Sequence, residues 1–308
     1  MKELKIEEGF GSIMVLVPHQ DDEILMAAGV LYQAVQAGLP VTVVMVTNGD
    51  CDCRDYTKGR TRLRETISGC KRLGMQEEQL VFLGYADTGM PEEDSFVAHL
   101  FGEQEPSRVY SSHCSYVTYS LEEKPEFHME ITGEHAPYTR EMLKSDLKQV
   151  IERYHPRNIF TTSEFDMHGD HAGLCRFVYE VLEEMEKENA DSRQVSCAGK
   201  EEPFFQAEKE NADFPQVYCG LVHSCAGDDN WPVPDTETFD CPKGLEENTN
   251  YVWDQRFVLQ MPDELKRSAG KDNLKYQALL AYETALEPNA YEFLMAFVKD
   301  EEIFWKVR

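Results

Sequence analysis

This sequence of 308 residues has few positively charged side chains for its number of acidic ones. Lys and Arg number 30 against 57 Asp and Glu, so the formal net charge is -27. A surface this acidic repels phosphate backbones and anionic lipid headgroups, and it also disfavours a highly anionic substrate. We therefore expect neither nucleic acid nor a membrane among the partners of this protein.

Long apolar runs and a disulfide pattern are also missing. No segment approaches the length of a transmembrane span, and no signal peptide is visible at the N-terminus. The nine cysteines are an odd number at irregular spacing, and the pair Cys51 and Cys53 cannot complete a zinc shell. We expect reduced thiols and a cytoplasmic location.

Short apolar runs alternate with helical patterns along the chain. The predicted strands cover residues 13–17, 41–47, 80–83, 158–162 and 217–223, the last of these being the final strand. The predicted helices cover residues 22–37, 61–73, 140–154, 171–187 and 274–287. This alternation predicts an α/β, Rossmann-like fold with a mostly parallel sheet and helices on both faces.

Two stretches interrupt this rhythm and predict loop insertions. Residues 88–137 belong to a connection rich in Gly, Pro, Ser and Tyr, and residues 184–214 are charged and low in complexity. The sequence contains no clear linker. We therefore expect one domain over 1–308 that carries insertions at about 88–137 and 184–214.

Two clusters of His and Asp follow predicted strands. The sequence His-Gln-Asp-Asp-Glu at 19–23 comes directly after the first strand, and Asp-Met-His-Gly-Asp-His at 166–171 follows the strand at 158–162. The carboxyl ends of parallel strands lie at one edge of a sheet, where ligands bind. The clusters converge there if the two strands are near neighbours.

The residue types in these clusters suit a catalytic metal. Zinc takes three His, Asp or Glu ligands and leaves a position for water, which becomes a nucleophile near neutral pH. Iron(II) or cobalt could occupy the same ligands. Each cluster alone is also typical of acids and caps at helix N-termini. Together, at matching positions, they favour a metal site.

Several motifs resemble the PIG-L/LmbE-like family of N-acetylglucosaminyl deacetylases. The clusters are similar to its His-Pro-Asp-Asp-Glu and His-x-Asp-His motifs, with Gln20 in place of the proline. Residues 62–65 and 82–87 are similar to its Arg-x-x-Glu helix and its Phe-Leu-Gly-x-x-Asp strand end. Residues 275–282 and 302–305 resemble its C-terminal Lys…Ala…Tyr and Glu-x-Phe-Trp patterns.

The resemblance implies a role for each matching residue. The implied Zn²⁺ ligands are His19, Asp22 and His171. Asp21 would be the general base on a metal-bound water, and His168 would stabilise the tetrahedral intermediate. Asp170 would orient or charge His168, and Arg62 and Asp87 would contact sugar hydroxyls. Two other interpretations are equally good: Arg62 could pair with Glu65 on its helix, and Asp87 could be an ordinary turn residue.

The implied activity is zinc-dependent removal of an N-acetyl or other acyl group from an amino sugar or its conjugate, at a linear amide bond. An amidase on a thiol-sugar or other N-acyl conjugate remains an alternative, as does a silent metal- or sugar-binding module. Asp21 and His168 argue against the module, which needs neither a base nor an oxyanion donor. A nucleotide-binding protein is excluded because no Gly-x-Gly-x-x-Gly follows the first strand. The oligomeric state is left open.

Four further residues could belong to the site. Asp50 and His223 end or follow predicted strands at the same edge, although a turn or a structural role is at least as compatible. Asp166 is expected to support the second cluster from behind its ligands. Trp231 could stack on a sugar or plug a long loop.

Overall fold

A computed structural model describes residues 1–197, 214–286 and 290–308. The strands of these residues are β1 (Lys2–Leu4), β2 (Ile13–Val17), β3 (Val41–Thr47), β4 (Leu80–Tyr85), β5 (Asn158–Thr162), β6 (Gln216–Gly220), β7 (Phe257–Gln260) and β8 (Glu301–Lys306). The helices are α1 (Asp22–Gln36), α2 (Thr57–Arg72), α3 (Phe96–Gly102), α4 (Phe127–Thr132), α5 (Arg140–Tyr154), α6 (Gly169–Cys197), α7 (Leu274–Leu279), α8 (Glu283–Leu286) and α9 (Tyr291–Ala296).

The strands form one open, mostly parallel sheet in the order β1-β7-β8-β6-β5-β2-β3-β4. β2, β3 and β5 are buried along their whole length, as expected for continuous apolar strands covered by helices. Only β8 runs antiparallel to its neighbours within this described sheet. The α/β fold expected from the sequence is confirmed.

The order of the strands creates a crevice at the end of β2. The chain passes from β2 to β3 and β4 on one side, and then returns with β5 on the other side of β2. Val15 of β2 pairs with Val43 of β3 and with Phe160 of β5, all in parallel register. A reversal of strand order at this point opens a cleft at the carboxyl edge of the sheet. Both His/Asp clusters follow strands that border this cleft.

The C-terminal region differs from the sequence-based expectation. The strand at Gln216–Gly220 is not the last one, and the helical segment at 274–287 is divided into the short helices α7 and α8. The aromatic tail forms β8, which lies between β6 and β7. Ile303, Phe304 and Trp305 are buried there, because β-branched and aromatic side chains fit a covered sheet well.

The predicted insertions have ordered parts. Residues 88–137 include α3 and α4, and α6 extends ten residues past the helix end expected at 187. The rest of the second insertion, at 198–213, lies outside the described residues. The division of the chain into one domain with two insertions stays a prediction.

Two general properties can be stated for the part of the chain with described side chains. The eight cysteines in it are free thiols. None of its helices has the length and apolarity that a bilayer span requires.

Candidate metal centre

The first cluster lies in a tight turn between β2 and α1. Asp21 has a φ of 107°, a left-handed value that costs a residue with a side chain about 1–3 kcal/mol. Its backbone N–H donates to Glu23 Oε2 at 3.1 Å, which holds the turn in place. A strained aspartate at the mouth of a cleft is typical of a functional position.

The second cluster is held by the carboxylate of Asp166. Asp166 Oδ1 accepts the backbone N–H of His168 at 3.0 Å, and Oδ2 accepts those of Val222 and His223 at 2.9 and 3.1 Å. These bonds fix the loop after β5 against the end of β6. His168 and His171 therefore face the turn that carries the first cluster.

Three candidate metal-ligand atoms from the two clusters lie within 3.4 Å of one another. His19 Nδ1 lies 3.2 Å from His171 Nε2 and 3.4 Å from Asp22 Oδ2, and the latter two atoms are 3.2 Å apart. Neighbouring ligand atoms of a tetrahedral zinc ion, with bonds of about 2.0–2.1 Å, lie about 3.3 Å apart. Three lone pairs this close repel one another unless a proton or a cation lies between them. The residues therefore fit a metal ion.

The imidazoles of His19 and His171 each have a carboxylate next to the ring nitrogen that faces away from the three atoms. Asp170 Oδ2 lies 3.1 Å from His19 Nε2, and Asp166 Oδ2 lies 3.1 Å from His171 Nδ1. This is the usual arrangement around metal-bound histidines, because the carboxylate orients the ring and makes it more basic. Asp166 supports the second cluster in the way expected from its position.

The acidic surroundings favour positive charge on both rings. Burial alone would lower the pKa of His19, but the carboxylates of Asp170 and Asp22 raise it to about 9. Burial likewise opposes protonation of His171, and Asp166 and Asp22 outweigh it and raise the pKa well above its usual range. The site thus has a negative potential that attracts a cation.

His168 differs from its two neighbours because it stays neutral. Burial and the adjacent His19 and His171 rings hold its pKa far below the usual value. Its Nδ1 accepts the backbone N–H of Asp170 at 3.2 Å, which assigns the remaining proton to Nε2. His168 can therefore donate a hydrogen bond from Nε2 into the site. The atoms of His19, His168 and His171 are also close enough, within 4.8 Å, for His168 to be an alternative ligand.

Asp170 makes a contact that the sequence did not indicate. Its backbone N–H donates to His168 Nδ1, and its carboxylate bridges His19 Nε2 and the backbone N–H of Val97 in α3, at 3.1 and 2.7 Å. The first insertion therefore reaches the candidate centre. The spacing of the motifs does not reveal this, because α3 lies between them and belongs to none.

Gly173 allows the close approach of α3 to α6, and its replacement gives a first prediction. A Cβ at position 173 would lie 2.9–3.0 Å from backbone atoms of Val97 and Ala98, which cannot move independently. Gly173→Ala is expected to destabilise the fold by about 1–3 kcal/mol in urea unfolding. Gly102→Ala is the control, since nothing lies within 4 Å of a Cβ there. Equal stability of the two variants would contradict this packing.

Asp21 and Arg62 face each other beside the three donor atoms. Arg62 Nη2 lies 3.7 Å from Asp21 Oδ2 and donates to the carbonyl of Gln20 at 2.8 Å, while Nη1 donates to that of Gly49 at 3.2 Å. Burial raises the pKa of Asp21 to about 7, against the opposing charge of Arg62. Arg62 thus orients Asp21 and ties two loops together.

The carboxylate of Asp87 also lies in the site, close to His19 and Asp170. Asp50 Oδ1 accepts the backbone N–H of Asp87 at 3.0 Å. Asp50 Oδ2 in turn accepts the Tyr119 hydroxyl at 2.9 Å and the Cys114 thiol at 3.1 Å. Tyr119 and Cys114 were not expected from the sequence, because they lie in the first insertion and belong to no motif.

Of the two remaining candidates, His223 lies beside the site and Trp231 has a structural role. The His223 ring is 5.3 Å from that of His171, stacks on Phe293 and contacts Asp228 through Nδ1 at 3.0 Å. Trp231 is buried and donates from Nε1 to the carbonyl of Asp240 at 2.9 Å. Trp231 therefore plugs its loop and cannot stack on a sugar.

This chain is similar to a known protein family. A family model described as PIG-L: GlcNAc-PI de-N-acetylase matches residues 14–182, which is more than half of the chain. No curated protein matches.

Several solved structures share the fold at low sequence identity. The N,N'-diacetylchitobiose deacetylase from Pyrococcus horikoshii, complexed with its inhibitor MPG, is 12% identical with a TM-score of 0.52, over 96% of this chain and 82% of that one. A deacetylase–bog complex from the biosynthesis pathway of teicoplanin is 14% identical with a TM-score of 0.51, over 96% of both chains. The A40926 pseudoaglycone deacetylase Dbv21 is 15% identical with a TM-score of 0.50, again over 96% of both.

Proposed function

This chain belongs to the GlcNAc-PI de-N-acetylase family, and on that premise we propose that it is a zinc-dependent hydrolase that removes an acetyl or other acyl group from the nitrogen of an amino sugar or its conjugate. The observation that carries the proposal is the triangle of His19 Nδ1, Asp22 Oδ2 and His171 Nε2, with sides of 3.2–3.4 Å. Asp21, which precedes Asp22 in the chain, and His168, whose ring centroid lies 4.4 Å from that of His19, supply the proton and charge handling that hydrolysis needs.

His19, Asp22 and His171 would hold the zinc ion in this scheme. When bound, zinc supplies a Lewis acid that lowers the pKa of a water molecule and polarises the amide carbonyl. The ligand set of two imidazoles and one carboxylate also suits iron(II) or cobalt, because raw affinity does not select among these metals. Metal analysis of the protein purified without added metal decides between them.

The protein's own residues carry the proton through the reaction. Asp21, oriented by Arg62, accepts a proton from the attacking water as the carbon–oxygen bond forms. His168 donates its Nε2–H to the oxygen that becomes negative in the tetrahedral intermediate. Asp21 then passes its proton to the nitrogen as the carbon–nitrogen bond breaks, which leaves an amine and a carboxylic acid; the proton of the acid goes to the amine or to solvent. Asp170 keeps His19 oriented throughout.

Asp87 is the better of the two candidates for contact with a sugar. Its carboxylate lies in the site, and Asp50 fixes its backbone. Arg62 donates from its two terminal nitrogens to the carbonyls of Gly49 and Gln20 and faces Asp21, and its remaining donor, Nε, is buried. We therefore propose that Asp87 accepts a hydrogen bond from a sugar hydroxyl and that Arg62 acts mainly on Asp21.

The acidic charge gives a second prediction, which concerns substrate choice. Neutral N-acetylglucosamine conjugates are expected to have a higher kcat/KM than phosphorylated ones, because a protein of net charge -27 repels an anion. The preference should shrink at high ionic strength, since about 0.1 M salt already screens charges beyond about 10 Å. Amine release from matched neutral and phosphorylated sugars at low and high salt measures both effects. A phosphorylated substrate that is preferred at low salt would contradict the prediction.

The same assay tests the proposed function itself. Purified, zinc-loaded protein is expected to release amine from at least one N-acyl amino sugar, and a panel that includes thiol-sugar and other N-acyl conjugates identifies the substrate class. Zinc binding without turnover on any member of the panel would instead favour the silent binding module.

A further inference from the structure

Helix α1 is broken shortly after the turn that carries Asp21 and Asp22. Ala27 has non-helical angles, with φ -138° and ψ 18°. In a regular helix the N–H of Gly29 would donate to the carbonyl of Leu25. Here Leu25 accepts a hydrogen bond from Lys275 Nζ at 2.7 Å, and Gly29 donates to both carboxylate oxygens of Glu302 at 3.0 and 3.1 Å. Two side chains from the C-terminal region thus replace one hydrogen bond of the helix.

Lys275 and Glu302 form a buried ion pair across this break. Their charged groups are 3.1 Å apart, and their side chains are 0% and 1% exposed. They come from α7 and β8, about 250 residues along the chain from α1. Moving α1 away from the C-terminal region would leave this buried pair without its hydrogen bonds to Leu25 and Gly29, which is costly for charges that water does not reach.

A third C-terminal residue, Tyr282, acts on the turn itself. Its hydroxyl donates to Glu23 Oε1 at 2.5 Å, and Glu23 Oε2 accepts the backbone N–H of Asp21. The Tyr282 ring packs on α2 at Gly69, where a Cβ would lie 2.4 Å from a ring carbon. A continuous set of contacts therefore runs from α2 through Tyr282 and Glu23 to the backbone of Asp21.

We propose that Lys275, Tyr282 and Glu302 are positioning residues, which set the first turn of α1 against the loop of His168 and His171. The proposal rests on the proposed function for the roles of Asp21 and Asp22. Tyr282 acts through Glu23 on Asp21, and thus on the rate of the chemical step. The Lys275–Glu302 pair acts on the whole first turn, including Asp22, and thus on retention of the metal. The C-terminal region is part of the machinery of the site although none of these three residues faces it.

Tyr282→Phe tests the first half of the proposal. It removes the hydroxyl and keeps the ring against Gly69, so we expect a loss in kcat of about tenfold or more with KM and zinc affinity unchanged. The matched control is Tyr85→Phe, which removes another buried tyrosine–carboxylate hydrogen bond, of 2.7 Å to Asp146 on α5. Both variants should lose similar thermal stability, but only Tyr282→Phe should lose kcat. Equal kcat in the two variants would overturn the positioning role of Tyr282.

Zinc titration tests the second half without any need for turnover. The double variant Lys275→Met/Glu302→Gln removes both charges and avoids an uncompensated one, so it should fold better than either single charge deletion. We expect its zinc Kd to rise by about tenfold or more, as when a group supporting a metal ligand is lost. The control is Lys299→Met, which removes another buried lysine, one bonded to the carbonyl of Thr236. If the double variant does not fold, Glu302→Asp is titrated in its place, because it keeps both charges and withdraws the carboxylate from the N–H of Gly29.

The outcomes separate this inference from the proposed function. If the wild-type protein releases no amine from any N-acyl amino sugar, the proposed function fails, and the zinc titration alone decides the inference. A zinc Kd in the folded double or single variant equal to that of the wild type would overturn the role of Lys275 and Glu302. A weakened Kd in that variant, with Lys299→Met unchanged, supports it whatever the substrate is.

Discussion

Asp21→Asn is expected to lower kcat by about a thousandfold while zinc remains bound, because a general base contributes about 10²–10⁴ to the rate. Asparagine has the same shape as aspartate and tolerates the positive φ of this position, but it cannot accept the proton. The ligands His19, Asp22 and His171 are untouched. Steady-state kinetics and metal analysis of the same preparation measure the two halves of this prediction.

An exposed aspartate far along the chain shares two features with Asp21. Asp235 also has a positive φ, of 58°, and also pairs with an arginine, with its Oδ1 2.9 Å from Arg267 Nη2. Asp235→Asn therefore repeats the change in charge and backbone context outside the site, and it should leave kcat unchanged. Turnover by Asp21→Asn within about tenfold of the wild type, with zinc bound, would show that another group is the base.

Removal of the metal is expected to abolish turnover and to lower thermal stability. Zinc that binds only the folded state, at a free concentration about 1,000 times its Kd, stabilises the protein by about 4 kcal/mol. Adding zinc to chelator-treated protein should therefore raise Tm and restore the rate together. Differential scanning calorimetry and amine release on the same titration series measure both.

His171→Ala should remove the response of Tm to zinc, because it deletes one of three proposed ligands and leaves Asp22 and His19 alone. His128→Ala is the matched control, since His128 is another mostly buried histidine, with Nδ1 2.7 Å from a carboxylate oxygen of Asp146. His128→Ala should lower Tm but keep the full shift on adding zinc. A full zinc shift in His171→Ala would contradict the assignment of His171 as a ligand.

Much of the fold could be predicted from local patterns. The strands β2 and β5 are short apolar runs followed by acidic helix starts, and β3 is an apolar run that ends at the turn signal Asn48-Gly49; these signals depend only on residues near in sequence. The neighbouring placement of β2 and β5, on which convergence of the clusters depended, follows from the reversal of strand order. β7 and β8 were missed because some of the strands that they pair with lie far away in the sequence. An aromatic C-terminal segment is also compatible with an irregular segment packed on the core.

The residues of the candidate site could be proposed from the sequence, but their contacts could not. Motif resemblance identified Asp170 and Arg62, yet it did not show that the Asp170 carboxylate turns to His19 or that Arg62 donates to two backbone carbonyls. Such directions depend on side-chain torsions and on elements such as α3 that no motif covers. Gln20 is a simpler case, since its buried side chain donates to the Thr47 carbonyl at 2.6 Å and takes no place among the three donor atoms.

The central claim is that one zinc ion binds between His19, Asp22 and His171. Anomalous diffraction at the zinc edge, on crystals grown from protein loaded with one equivalent of zinc, tests it directly. We predict a single peak within about 2.0–2.1 Å of His19 Nδ1, Asp22 Oδ2 and His171 Nε2. A peak between His19, Asp87 and Asp170, or no peak at the three predicted ligands, would contradict the claim.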